Sequence, residues 1–163
     1  MTNWTTISQN DSDKIWEKFD NDFSFNPSVD PTNWPSIKTD KPNIKLSIAD
    51  LWGDNYDETK WFFLIKKGIN SFVSISNPHE EIIVLDWQHK CFYVNPRNIT
   101  VDAMLPTDKS STVVPSFVPN GDYYIFITID FENIWFGHPW EKTITIIGDK
   151  LIKAYNQADN EKY

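Results

Sequence analysis

The run "DYYIFITIDF", residues 122 to 131, is apolar on both of its alternating faces apart from Thr128 and Asp130. Successive side chains on a strand point to opposite faces. A strand that is apolar on both must be covered on both, which suits a central strand between two layers. The Asn120-Gly121 pair just before it is a strong turn signal. Two further strands follow, "NIWFGH" and "EKTITIIG", on either side of a corner at Pro139. Upstream, "EIIVLDWQHKCFYV", residues 81 to 94, is also β in character. It is either one long strand or two strands bent at Gln88 to Lys90. Strands usually run to about five or six residues, which favours the bend.

Helical patterns flank these strands. Residues 11 to 23 place Ile15, Trp16, Phe19 and Phe23 at helical spacing, with Asp11 or Ser12 as the N-cap. The next eighteen residues, "NPSVDPTNWPSIKTDKPN", hold four prolines and must be extended or turn-like. Residues 44 to 52 read as a strand and 53 to 56 as a turn. Asp57 can cap a helix over "ETKWFFLIKKGINSFVSI", whose apolar stripe is Trp61, Ile65, Ile69 and Phe72. Gly68 weakens this pattern, so the helix is expected to end early, with "SFVSI" extended. Residues 95 to 121 form a long connection with four prolines, in which "STVVPSFV" suits an edge strand. "DKLIKAYNQA" closes the chain as a short helix with Leu151, Ile152 and Tyr155 inward. The expected fold is α+β: one domain over residues 1–163, a mostly antiparallel sheet covered by two or three helices. Residues 1–10 and 159–163 are expected to fray.

Charge narrows the function classes. The formal net charge is −8, a field that repels nucleic acid and anionic membranes. Of fifteen basic residues only Arg97 is an arginine, and bidentate phosphate forks are an arginine property. No apolar run approaches the roughly 20 residues of a membrane helix. Cys91 is the single cysteine, so no internal disulfide forms. The N-terminus has no basic segment followed by an apolar one, which points to the cytoplasm. The chain lacks a nucleophile elbow, a phosphate-cradling glycine loop and paired-cysteine or H-E-x-x-H metal motifs.

Two clusters carry the remaining chemistry. "LDWQHKC" brings Asp86, Trp87, Gln88, His89 and Cys91 together. On an unbroken strand Trp87, His89 and Cys91 would share one face and Asp86 and Gln88 the other. "GHPWE" brings His138, Trp140 and Glu141 together around a proline that fixes the backbone. A pocket needs apolar walls with a few fixed polar groups, and both segments offer that mixture. Asp86, Trp87, Gln88, His89, His138, Trp140 and Glu141 are therefore the candidate binding residues. His89, Cys91, His138 and Glu141 are legal zinc ligands in a spacing that diagnoses nothing, so no metal or other cofactor is assigned. Either histidine could serve as a base oriented by Asp86 or Glu141, with Cys91 as a nucleophile. The plainer alternative is that these polar groups satisfy buried backbone and the tryptophans are core.

"LDWQHKCFYVNP", "PNGDYYIFITIDFENIWFGHPWEKTITIIGDKLI" and "IWEKFDNDFSFNPS…NWPSI" resemble a family of uncharacterised bacterial domains, the domain of unknown function numbered 2716. The D-W-Q-H and G-H-P-W-E strings carry the resemblance most specifically, and it spans roughly residues 14 to 155. It implies a single domain and no particular activity. The function expected from the residues is an acidic cytoplasmic interaction or ligand-binding domain, of immunity or antitoxin character, taking a basic protein partner. The alternative is a small-molecule enzyme or binder whose pocket is built from the two segments.

Overall fold

The computed structural model describes residues 3–52, 57–106 and 114–158. Among them are seven strands and four α-helices, in an α+β arrangement. The strands are β1 (Thr5–Thr6), β2 (Asn43–Ser47), β3 (Ile82–Asp86), β4 (Phe92–Val94), β5 (Tyr124–Thr128), β6 (Ile134–His138) and β7 (Thr143–Ile147). They form one antiparallel sheet in the order β1-β4-β3-β5-β6-β7-β2. The strand that is apolar on both faces, β5, is the middle one.

The helices explain why both faces are apolar. α1 (Gln9–Phe23) covers one face, together with Phe25, Ile37 and Phe131. Strand residues Ile83, Leu85, Ile125, Ile127, Ile134 and Phe136 point to it. α2 (Glu58–Ile75), α3 (Val101–Met104) and α4 (Asp149–Ala158) cover the other face, against Ile82, Val84, Phe126, Trp135, Ile144 and Ile146. The alternation of these two sets along each strand is the period-2 rule made visible.

α2 runs unbroken to Ile75, so "SFVSI" is helical and not extended. The expected stripe holds: Trp61, Ile65, Ile69 and Phe72 are buried, each stabilising the fold by roughly 1.5–3 kcal/mol relative to exposure. Gly68 sits in the middle of the helix because Phe117 lies on it. A Cβ there would come 2.6 Å from the Phe117 ring. Phe117 also stacks on Phe126 at 4.0 Å, so the described part of "STVVPSFV" is buried core and not an edge strand. Arg97 donates from its guanidinium to the carbonyls of Val73, Ser76 and Asn77, closing the C-terminal end of α2. The lone arginine is thus a helix cap.

Several expected boundaries shift. α1 begins at Gln9, with Ser8 as its cap accepting from the Asp11 N–H. Thr5 and Thr6 pair with Tyr93 and Phe92, which adds β1 to the edge of the sheet. The strand expected over 44 to 52 ends at Ser47 and gives way to a 3₁₀ turn, Ala49–Leu51. The expected turn at 53–56, the stretch 107–113 and the tail 159–163 lie outside the described residues.

Candidate functional site

The β3–β4 connection bends at residues 87–89, as strand length requires. Strand pairing ends at Asp86, opposite Tyr124 on β5. Continued two residues, that register brings Asp122 level with position 88. The bend therefore gathers Asp86, His89 and Asp122 at one end of the sheet.

Asp86 organises the bend. Its Oδ1 accepts from the Gln88 N–H at 3.2 Å and lies 3.0 Å from His89 Nδ1. An Asx-type turn of this kind is a common use of aspartate after a strand. His89 is otherwise open, with 69% of its side chain exposed. Hydrogen bonding to Asp86, reinforced by its charge, raises the His89 pKa above the usual imidazole value. Asp122 is 4% exposed and Asp86 6%. Asp122 Oδ1 accepts from the Tyr123 N–H at 2.8 Å, and its Oδ2 lies 3.6 Å from His89 Nδ1. Asp122 Oδ2 is buried and accepts no hydrogen bond. Burial, with Asp86 next to it, pushes the Asp122 carboxyl up to about 7.

The G-H-P-W-E segment is the β6–β7 turn. His138 is fully buried. Its Nδ1 accepts from the Glu141 N–H at 3.0 Å, so the ring proton belongs on Nε2. Nε2 lies 3.0 Å from Ser36 Oγ and 3.4 Å from the Tyr123 hydroxyl. Burial lowers the His138 pKa to about 4, leaving the ring neutral. Burial works to raise the Glu141 pKa, but hydrogen bonds from Lys45 at 2.8 Å and Thr143 at 2.7 Å hold it below the usual range. Ser36 and His138 lie at the spacing of a nucleophile and base, but their protonation and burial are those of a structural pair. The proton already sits on the nitrogen facing the hydroxyl, and both groups are sealed from solvent.

The two segments lie side by side, joined through Tyr123. Its ring meets Trp87 at 5.7 Å, Trp140 at 5.1 Å and His138 at 4.8 Å between centroids. Trp87 and Trp140 meet edge-to-face at 6.4 Å. The polar groups stay in separate pairs: Asp86 bonds His89, and His138 bonds the Glu141 backbone. Among the described residues, the four suggested zinc ligands form no cluster. Cys91 is buried and its thiol points to the Asp86 carbonyl at 3.8 Å, while His138 and Glu141 are engaged as above. The three side chains that do gather are Asp86, His89 and Asp122, whose ligand atoms all lie within 4.8 Å of one another.

Trp87 is 38% exposed and stands between two clefts. One, of about 510 Å³, runs between α1 and the bend and is lined by Ile7, Asp13, Trp16, Gln88, His89 and Lys90 among others. The other, about 250 Å³, is lined by Trp16, Asp20, Phe25, Pro27 and Trp87. Asp122, Tyr123 and the α1 residues are missing from the sequence reading. The Asn120-Gly121 turn marks Asp122 as a strand-entry residue, but only the β3–β5 pairing puts it beside Asp86.

The fold and site define a class: a three-layer antiparallel α+β domain with an aromatic and acidic cluster at one end of its sheet. The chain belongs to the protein of unknown function family DUF2716, whose model matches residues 6–152. It is 28% identical over 160 residues to the uncharacterized protein YxiI of Bacillus subtilis (strain 168), covering 94% of this chain and 93% of that protein. No solved structure matches. Among the described residues no helix is long and apolar enough to cross a membrane.

Proposed function

We propose that this is a cytoplasmic binding domain, of immunity or antitoxin character, that captures a basic protein through the clefts around Trp87. The observation that carries the reading is the half-open Trp87 ring between Trp16, Asp13 and Asp20. An aromatic wall next to carboxylates suits a lysine or arginine side chain, which gains from both the ring face and the charge. Exposed tryptophans are typical interface anchors. The net charge of −8 speeds encounter with a cationic partner.

Co-purification from the native host with mass spectrometry tests this, using wild type, Trp87→Ala and Asp13→Lys/Asp20→Lys as baits. A basic protein should be retained by wild type, released by salt, and bound roughly tenfold or more weakly by each variant. Wild type that recovers no basic partner, or one that both variants retain equally, overturns the reading.

A further inference from the structure

We propose that Asp86, His89 and Asp122 form a binding site for one first-row divalent transition ion, of which Zn²⁺ is the type. Ligands about 2.0–2.2 Å from a tetrahedral ion lie about 3.3–3.6 Å from one another. Here His89 Nδ1 is 3.0 Å from Asp86 Oδ1 and 3.6 Å from Asp122 Oδ2. All three ligand atoms fit within 4.8 Å, so small side-chain shifts bring them onto one ion once the Nδ1 proton that bonds Asp86 is released to solvent.

The independent observation is Asp122 Oδ2. It is buried and accepts no hydrogen bond from an N–H or hydroxyl, although buried carboxylate oxygens almost always do, and the Asp122 carboxyl has the Asp86 carboxyl as its close neighbour. A cation drawn between the two carboxyl groups would supply the countercharge that this buried pair needs. The other oxygens are already aimed: Asp122 Oδ1 takes the Tyr123 N–H and Asp86 Oδ1 takes the Gln88 N–H. Outer hydrogen bonds of this kind fix ligands before an ion arrives. Two carboxylates supply the charge a divalent ion needs. The imidazole selects the zinc, cobalt and nickel group over magnesium and calcium, which take oxygen ligands. His89 is the exposed third ligand and borders the α1 cleft, so the remaining coordination positions open to water.

The test uses tag-free, chelator-stripped protein titrated with Co²⁺ and then Zn²⁺. We expect one Co²⁺ per chain with visible d–d absorption, displacement by Zn²⁺, and a rise in Tm. His89→Ala and Asp122→Asn should each weaken binding about tenfold or more, while His79→Ala leaves it unchanged. Because the His89 side chain is mostly solvent-exposed, His89→Ala keeps the fold and decides the matter even where Asp122→Asn does not fold. Failure of the stripped wild type to take up Co²⁺ or Zn²⁺ overturns the proposal. So does uptake that His89→Ala leaves intact, which would place the ion elsewhere.

Discussion

The two histidine segments use the same alphabet, a histidine, a tryptophan and a carboxylate, and reach opposite ends. In the β6–β7 turn every polar atom of His138 is used: a backbone N–H on one nitrogen, a serine and a tyrosine on the other. In the β3–β4 bend His89 faces solvent and Asp122 Oδ2 accepts no hydrogen bond. The first is a closed structural knot. The second has coordination to spare. The difference follows from place: the β6–β7 turn is roofed by Trp34 and Ser36 from the proline-rich segment, whereas among the described residues nothing comparable covers His89. Residue type nominates a site, and unsatisfied valence selects among the nominees.

This contrast breaks most easily at His138. Replacement by alanine leaves a cavity and strips a partner from the Glu141 N–H. His138→Ala should cost about 4 kcal/mol, read from urea unfolding. A cost under about 1 kcal/mol would show that the turn is not the knot described. Acid should reach the same residue. His138 titrates at about 4 when folded against 6.5 when free. Between those values the unfolded chain binds the extra proton. Its contribution is therefore complete above pH 6.5 and lost as pH falls toward 4, about 3 kcal/mol in all. Stability measured at pH 7 and 4.5 in wild type and His138→Gln isolates it: the variant should lose distinctly less.

How much of this was legible in the sequence follows from period and pairing. β5 was readable as the central strand because its two apolar faces demand two layers, and the bend at Gln88 to Lys90 because the run is too long for one strand. The stripe on α2 was readable at its 3.6 period, but not its length. Gly68 looks like a helix breaker until Phe117 is seen lying against it. The D-W-Q-H and G-H-P-W-E segments stood out by composition. Their division into a knot and an open cluster did not, because it depends on Ser36, Asp122 and Tyr123, which are brought in by long-range contacts. No local pattern announces that Asp122 lies beside Asp86, 36 positions earlier in the chain.

Smaller effects sharpen the open side. In metal-free protein two carboxylates are buried close together, one with an oxygen that accepts nothing. An amide at Asp122 removes one charge and supplies an N–H donor. Asp122→Asn should therefore stabilise the stripped protein by about 1 kcal/mol while it removes metal affinity. Destabilisation of the stripped form by that amount would mean that the carboxylate is structural in the manner of His138.

The smallest expected effect is the most discriminating. His89 makes one side-chain hydrogen bond, to Asp86, lies 3.6 Å from Asp122 and otherwise faces water. Only the buried Asp86 side of this pair is out of water, and Asp86 keeps its bond from the Gln88 N–H when the ring is gone. His89→Ala should change unfolding free energy by under about 0.5 kcal/mol in metal-free protein. With Zn²⁺ present the same substitution should forfeit most of the ion's stabilisation, because a ligand that binds only the folded state raises stability through its affinity. The gap between the two measurements is the quantity that separates a binding residue from a structural one. At His138 no such gap should open, since the cost there is paid with or without the ion.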